Sequence, residues 1–582
     1  MHAPTTKPAR RILLLLACFL AAAAVNVAGW WFANRPAPTA AGASATEAAA
    51  PHVIASVSFA PFRRGQGPLN RVYPSAEEVE SDLASLQGIA RGVRTYTARE
   101  GLQVVPAVAG KYGLDVMQGV WLGREAAIND AEVEAGIRLA NQYPDAIRSV
   151  VVGNEVLLRK DLTVDQLIAQ IRKVKAAVRQ PVTYADVWEF WLRFPQLLDE
   201  VDFVTVHFLP YWEDMPIGVD HAMPHIMDVY RQVQAALPGK PIVIGEVGWP
   251  SEGRSRREAV PSRIEAARFI DGFLQLAARE KLAYNLVEAF DQPWKVALEG
   301  TVGGAWGVLD EFRHPKFAIG GAVSNLPQWP LVVGLALLAA LILMIPQAPR
   351  VAGLPAPAML GIALYAQMLG AFFAAAIEHG LSHNFSLLRF AEFAVMTLLQ
   401  AVFATLLYNE LLDRLSGRVR PVRPLQPLAT GAAALGGWRR LSREQVASWL
   451  FALFALLAVY HCLMLVVAGR YRDFPLDYFL LPLCGYLAMR LVGVAAGGGT
   501  ERGAELVALG TGFCRAEAAA VSGPGGRYGP EAALAFLLLS LPVLVLLIET
   551  LQNREALWWC LLAAGYAVPL LGNLVLARRR AG

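Results

Sequence analysis

From Trp329 onward the chain is written in apolar runs too long for an ordinary globular core. They cover roughly 329–345, 355–376, 390–411, 446–468, 476–497, 531–549 and 557–576. A helix of about 20 apolar residues is what crosses the hydrocarbon of a bilayer, so this half is committed to helices packed in lipid. An eighth run lies at the start. Ile12 to Phe32 is apolar apart from Asn26, follows Arg10 and Arg11, and closes on Trp30 and Trp31. The basic flank belongs on the cytoplasmic side and the tryptophans at the opposite interface. A cleaved signal peptide is the competing reading. The length of the run and its aromatic end favour an uncleaved anchor.

The charges orient these spans. Arg414, Arg418, Arg420, Arg423, Arg439, Arg440 and Arg443 share one loop, and Arg578, Arg579 and Arg580 close the chain. The opposite loops carry few, such as Arg389, Arg470, Arg472 and Arg554. An amino terminus inside puts both basic groups in the cytoplasm and the segment after the first span outside it. The organisation expected is an anchor over 1–33, a linker rich in Ala, Pro, Thr and Ser over 34–50, a soluble domain over 51–325, and a membrane domain of about seven helices over 326–582.

The soluble segment is a different kind of sequence. It holds 29 Lys/Arg against 34 Asp/Glu, a net charge of −5, while the rest of the chain holds 23 against 14, or +9. An acidic balance argues against a nucleic-acid partner for this domain. The five cysteines, Cys18, Cys462, Cys484, Cys514 and Cys560, all lie outside it, which excludes a disulfide scaffold or a cysteine metal site there.

Short apolar runs recur through the segment: Val53–Phe59, Val93–Tyr96, Val104–Val108, Val150–Gly153, Val182–Tyr184, Phe203–His207, Ile242–Gly245 and Tyr284–Phe290. Helical spacing separates most of them, clearest in Glu132–Tyr143, Val164–Val178 and Ser262–Arg279. Eight strands alternating with helices predict an α/β fold, a (β/α)8 TIM barrel whose site forms at the carboxyl ends of the strands. A doubly wound open sheet is the alternative; it is disfavoured because no Gly-rich phosphate loop follows the first strand.

Two of the runs end alike. Ile242-Val243-Ile244 leads through Gly245 to Glu246, with Trp249 close behind, and Val150-Val151-Val152-Gly153 leads to Asn154 and Glu155. Two carboxylates at the ends of two such strands suit glycoside hydrolysis, in which one protonates the leaving oxygen and the other works at the sugar carbon. A single glutamate there is more often a structural ion pair; the pair is the signal. The other strand ends supply Arg94, Tyr96, His207, Tyr211, Trp212, Glu288 and Trp294. Aromatic faces stack on sugar rings while Arg, Asn and carboxylates bind hydroxyls, although any one tryptophan could equally be core packing.

The strings GNE, HFLPYWE, IGEVGWPS and AFDQPWK, with Trp306-Gly307-Val308-Leu309-Asp310 behind them, resemble glycoside hydrolase family 17 over about residues 51–325. That family comprises β-1,3-glucanases and related glucanosyltransferases, retaining in mechanism, on a (β/α)8 barrel. The resemblance implies that Glu155 is the acid/base, Glu246 the nucleophile, and Asn154 the partner of the 2-hydroxyl of the reacting sugar. At Leu209 the chain departs from plant members, which usually have tyrosine before the proline. Arg94 is the expected cation for Glu246. Arg94, Tyr96, Asn154, His207, Tyr211, Trp212, Trp249, Glu288 and Trp294 are the expected substrate-binding residues. The chemistry needs neither metal nor cofactor.

The join of such a domain to a membrane bundle resembles bacterial proteins tied to β-(1→3),(1→6)-glucan synthesis. The expected partners are therefore a β-glucan oligo- or polysaccharide, membrane lipid and, as a candidate, a glucan synthase, at a bacterial inner membrane with the barrel in the periplasm. The largest inner loop, Leu412–Gln445, is far too short to form a sugar-nucleotide domain. Linkage building would then have to proceed outside, by transfer between glucans. The rival readings are a β-(1→6)-branching protein of glucan assembly, a non-catalytic glucan sensor, and a transporter whose outer domain guides polysaccharide. Glu378, His379, Glu392, His461 and Arg490 are the ionisable residues of the bundle. Positions near span ends explain several of them without a function.

Overall fold

Eight parallel strands close on themselves between Val57 and Leu286: β1 (Val57–Ser58), β2 (Gly92–Arg94), β3 (Asp115–Val120), β4 (Ile147–Asn154), β5 (Val182–Val187), β6 (Val204–Phe208), β7 (Ile242–Val247) and β8 (Ala283–Leu286). Each pairs with its sequence neighbours, and Val57 of β1 meets Leu286 of β8 to shut the ring. The computed structural model describes residues 8–39, 53–383, 386–418, 443–497 and 529–581. It divides into two units, 36–325 and the combination of 1–35 with 326–582.

The barrel is held by one apolar core. Strand residues such as Val57, Val93, Val116, Val150, Val152, Val204, Val206 and Ile244 are fully or almost fully buried within it, packed with helix residues such as Val133, Ile171, Ile226, Phe269 and Phe273. Helices Val164–Lys175 and Arg263–Glu280 start where the sequence placed them. Thr163 caps the first by accepting from Gln166 N, and Ser262 caps the second by accepting from Glu265 N. The expected linker is partly structured, because Ala37–Pro38 pairs antiparallel with Ala322–Val323 and joins the two ends of this unit. The linker's remaining residues, 40–50, lie outside the described residues.

One expected strand is wrong. Val104–Val108 is helical, with a 3-10 turn over Leu102–Val104 running into Val105–Ala109. The third strand is Asp115–Val120 instead. Pro106 explains the error: proline carries no N–H for a central ladder, yet it suits the first turn of a helix.

Glycine decides the backbone at two strand ends. Gly153 has φ +86°, and a Cβ there would sit 2.7 Å from Val156 Cγ2. At Gly245 a Cβ would come within 2.5 Å of Thr205 Cγ2 and 3.0 Å of the His207 ring. The ladders shift register at these places, between Val151 and Asn154, between Val206 and His207, and between Ile244 and Val247. Such irregularities re-aim side chains, and here they fall on Asn154, His207 and Glu246.

The other unit is helical. Among the described residues, seven helices are long and apolar enough to cross a membrane: Ala9–Ala33, Trp329–Ala352, Ala356–His383, Leu387–Leu415, Val446–Tyr471, Glu531–Glu549 and Arg554–Gly572. The sequence led us to expect eight. The eighth expected span is also a helix, Leu476–Gly497, whose residues 493–497 carry side chains outside the described ones. The amino-terminal helix belongs to this unit. Cys18 and Ala22 are buried in its core, and Asn26, the one polar break in that run, donates to Gln367 Oε1 at 2.8 Å. A polar pair between helices satisfies groups that lipid cannot.

Basic residues gather at one end of this unit. Arg11 donates to Ala352 O, while Arg350 and Arg443 both reach Asp413. Most of the arginine-rich loop expected over 412–445 lies outside the described residues. Among the other polar positions, Glu378 meets Ser382 and Gln328, and His379 Nδ1 lies 3.4 Å from Asp477.

Candidate active site

The carboxyl end of the barrel gathers Arg94, Tyr96, Asn154, Glu155, His207 and Glu246. Arg94 closes β2, and its guanidinium points inward almost fully buried, at 1% exposure. Nη1 donates to Glu246 Oε1 and to Gly245 O, both at 2.9 Å, and Nη2 donates to Asn154 Oδ1 at 2.6 Å. One side chain thus ties β2 to β4 and β7.

The Tyr96 hydroxyl lies 3.0 Å from Glu246 Oε1 and 3.0 Å from Ser58 Oγ. Asn285 Nδ2 donates to Ser58 Oγ and to Gly245 O, completing a polar floor under the site. Arg94 and Tyr96 both bond the same oxygen of Glu246. Among the described residues no hydrogen bond reaches Oε2.

His207 separates the two glutamates. Its buried ring places Nδ1 3.1 Å from Glu155 Oε1 and Nε2 3.8 Å from Glu246 Oε1. One oxygen of Glu155, one of Glu246 and one ring nitrogen all lie within 4.8 Å of one another. Such a grouping could hold a metal ion, but the Arg94 cation already occupies the Glu246 oxygen that faces it. Glu155 keeps 23% of its side chain exposed, against 10% for Glu246. It follows Asn154 on a left-handed turn with φ +50°. Its N–H donates to Ala185 O and its carbonyl accepts from Arg159 N.

The electrostatics differ from one carboxylate to the next. Burial alone would push Glu246 up, but the fields of His207, Arg94 and Lys295 and the bond from Tyr96 outweigh it, holding the group below its usual range. Glu288 is pushed up to about 7 by burial, against the pull of Lys295, whose Nζ lies 2.9 and 3.1 Å from its oxygens. Burial also raises Asp186 to about 6, and the negative charge of Glu155 adds to the rise.

The remaining expected residues divide. Tyr96, Trp212 and Trp294 are half-buried, and Asn154 is buried. Trp212 stacks over Trp306 with centroids 6.3 Å apart, and Trp294 anchors its Nε1 on Gln292. Trp249, Tyr211 and Glu288 are buried with no surface open to a sugar, which departs from the expectation that they bind one. Trp249 is 1% exposed, donates to Val260 O and packs on Phe269. The Tyr211 ring is buried and its hydroxyl donates to Arg254 O. Glu288 is sealed beneath Lys295. Arg94 and His207 are also buried, and their polar contacts run to Glu246, Asn154 and Glu155.

Sequence reasoning missed Asp186 and its partner Tyr184. Tyr184 donates to Asp186 Oδ2 and accepts from Leu157 N, and Asp186 Oδ1 accepts from Val187 N. Together they brace the turn that follows Glu155. The apolar run predicted from the sequence stops at Tyr184, whereas β5 continues to Val187. Glu132 was missed likewise. It is buried on the helix after β3 and accepts from Thr97, Ala98 and Trp121, stapling two loops at the carboxyl end of the barrel.

Residues 56–307 match the BtgE/BtgC glycoside hydrolase domain. The chain is similar to a glucan 1,3-beta-glucosidase of Candida albicans, 28% identical over 267 residues that make up 41% of this chain and 85% of the relative. A glucan 1,3-beta-glucosidase of Schizosaccharomyces pombe is 28% identical over 232 residues, 37% of this chain and 72% of that protein. Among solved structures, an active-site mutant of a Rhizomucor miehei beta-1,3-glucanosyltransferase in complex with laminaritriose is 27% identical. It covers 46% of this chain and 98% of that one, with a TM-score of 0.42.

Proposed function

We propose that the barrel, which matches the BtgE/BtgC glycoside hydrolase domain over residues 56–307, is of the family 17 β-1,3-glucanase type, and that the protein is a membrane-anchored retaining β-1,3-glucan hydrolase or transglycosylase. The observation that carries the mechanism is the closeness of Glu155 and Glu246, with carboxylate oxygens within 4.8 Å. Retaining pairs stand about 5–5.5 Å apart, whereas inverting pairs leave about 6.5–9.5 Å for a water. The environments assign the roles. Glu246, held ionised by Arg94 and Tyr96 through Oε1, attacks the anomeric carbon with Oε2. Glu155, more accessible and bonded to His207, gives its proton to the leaving oxygen. In the second step the same residue takes a proton from the incoming hydroxyl. Asn154, fixed by Arg94, is placed to bind the 2-hydroxyl of the reacting sugar.

The relatives supply the substrate class, β-1,3-glucan. The anchoring reading rests on the apolar helices and on the collection of Arg11, Arg350 and Arg443 at one end of the helical unit. By the charge rule that end is cytoplasmic, and the barrel works in the periplasm of a bacterial cell. Incubating the full-length protein with laminari-oligosaccharides tests the reading. Shorter products mark hydrolysis, and longer or branched products mark transfer. Unchanged material would overturn it in favour of a glucan-binding sensor.

A further inference from the structure

Trp121 follows β3 directly, beside the turn that carries Asn154 and Glu155, and 36% of it is exposed. The ring is built in from behind. The Arg159 guanidinium lies 4.3 Å from its ring centroid. Arg159 in turn is tethered at four points. Nη1 donates to Asn154 O, Nη2 to Leu122 O at 3.0 Å, Nε to Asp161 Oδ2 at 2.8 Å, and its backbone N–H to Glu155 O at 2.9 Å. The Trp121 backbone is fixed as well, since its N–H donates to the buried carboxylate of Glu132 at 3.3 Å. With one face covered by a pinned cation, the exposed surface belongs to the other face and the ring edge.

We propose that Trp121 is a stacking platform for a glucosyl unit of the donor chain, one or more units beyond the reacting sugar. The chemistry fits a pyranose. The axial C–H groups of a β-glucosyl ring are weakly positive and lie on an aromatic face, and a preset indole loses little entropy on binding. The position fits the donor side. Trp121 stands between β2, which carries Arg94 and Tyr96, and β4, which carries Asn154, so it borders the residues placed around the reacting sugar. Trp212 lies on the loop after β6, in another sector of the ring.

This inference rests on the β-glucan reading. Its test uses the full-length protein and aryl β-glycosides of laminari-oligosaccharides with one to five glucosyl units. Their leaving group is activated, so only donor-side contacts vary with length. In the wild type kcat/KM should climb with length and then level off. Trp121→Ala should leave the shortest donor unchanged and lose about 10-fold on the longer ones, while Trp121→Phe should keep most of the gain. An equal loss at every length would make Trp121 a structural residue and overturn the proposal. So would no loss at any length, or an effect confined to the length of an added acceptor. If the wild type turned over none of these donors, the β-glucan reading itself would fail, and the platform with it.

Discussion

Arg94 Nη1 meets Glu246 Oε1 at 2.9 Å, and the arginine is 1% exposed. A buried cation bonded to a buried carboxylate keeps the carboxylate ionised only while both remain.

Replacing Arg94 by Met removes the cation and keeps much of the volume. Glu246 should then hold its proton to higher pH, because burial favours the neutral acid and one of the charges that oppose it, beside His207 and Lys295, is gone. The expected result is a loss in kcat/KM of ~10²-fold or more, with the acid limb of the pH–rate profile moved upward. An unmoved acid limb would reduce Arg94 to a structural tie between strands.

Trp249 and Trp212 should respond oppositely to alanine. Trp249 is core, so Trp249→Ala should cost about 3–5 kcal/mol of stability and leave kcat per folded molecule nearly unchanged. Trp212 retains a surface above Trp306, so Trp212→Ala should raise KM with little change in melting temperature. Chemical denaturation beside steady-state kinetics checks both.

These two tryptophans show what the sequence could and could not say. Glu155 and Glu246 were legible because a strand that ends in Gly and then Glu leaves the carboxylate few places to point. The barrel was legible because alternation between period 2 and period 3.6 survives local errors, even with the third strand placed on Val104–Val108. Whether an aromatic after a strand faces sugar or core depends on the helix packed beneath it, here through Phe269 against Trp249, and nothing local encodes that. Asp186 and Glu132 were hidden for a related reason. Their roles lie in contacts to loops 28 to 34 residues away in the chain, from Asp186 back to Leu158 and from Glu132 back to Ala98.

The raised acids fix a pH dependence of stability. Glu288 goes from an ordinary 4.5 to about 7, and Asp186 and Asp291 from 3.8 to about 6. In each case the folded state keeps its proton to higher pH than the unfolded chain does. The contribution is present below the unfolded value and is lost as pH rises through the folded one. Glu246, shifted downward, acts the other way and mainly below pH 4.5. The barrel's melting transition should therefore fall between pH 5 and pH 8. A transition that rises over that interval would contradict the burial of these acids.

The orientation has its own test. A reporter active only in the cytoplasm, fused after Gly582, should be active, and the same reporter placed in the 34–50 segment should be silent. The reverse pattern would put the barrel inside and remove the periplasmic reading.

The central claim is that Glu246 attacks sugar and Glu155 handles the proton. Incubating the protein with an activated 2-deoxy-2-fluoro β-glucosyl or laminaribiosyl donor should trap a covalent intermediate, because the fluorine slows its release more than its formation. Peptide mass analysis should place the added glycosyl mass on Glu246, in the stretch from Pro241 to Ser251. The label should be absent from Glu246→Gln and should still form in Glu155→Gln, where added azide should release it as a β-glycosyl azide. A label found on Glu155, or an α-configured azide product rescued only in the Glu246 variant, would contradict the account.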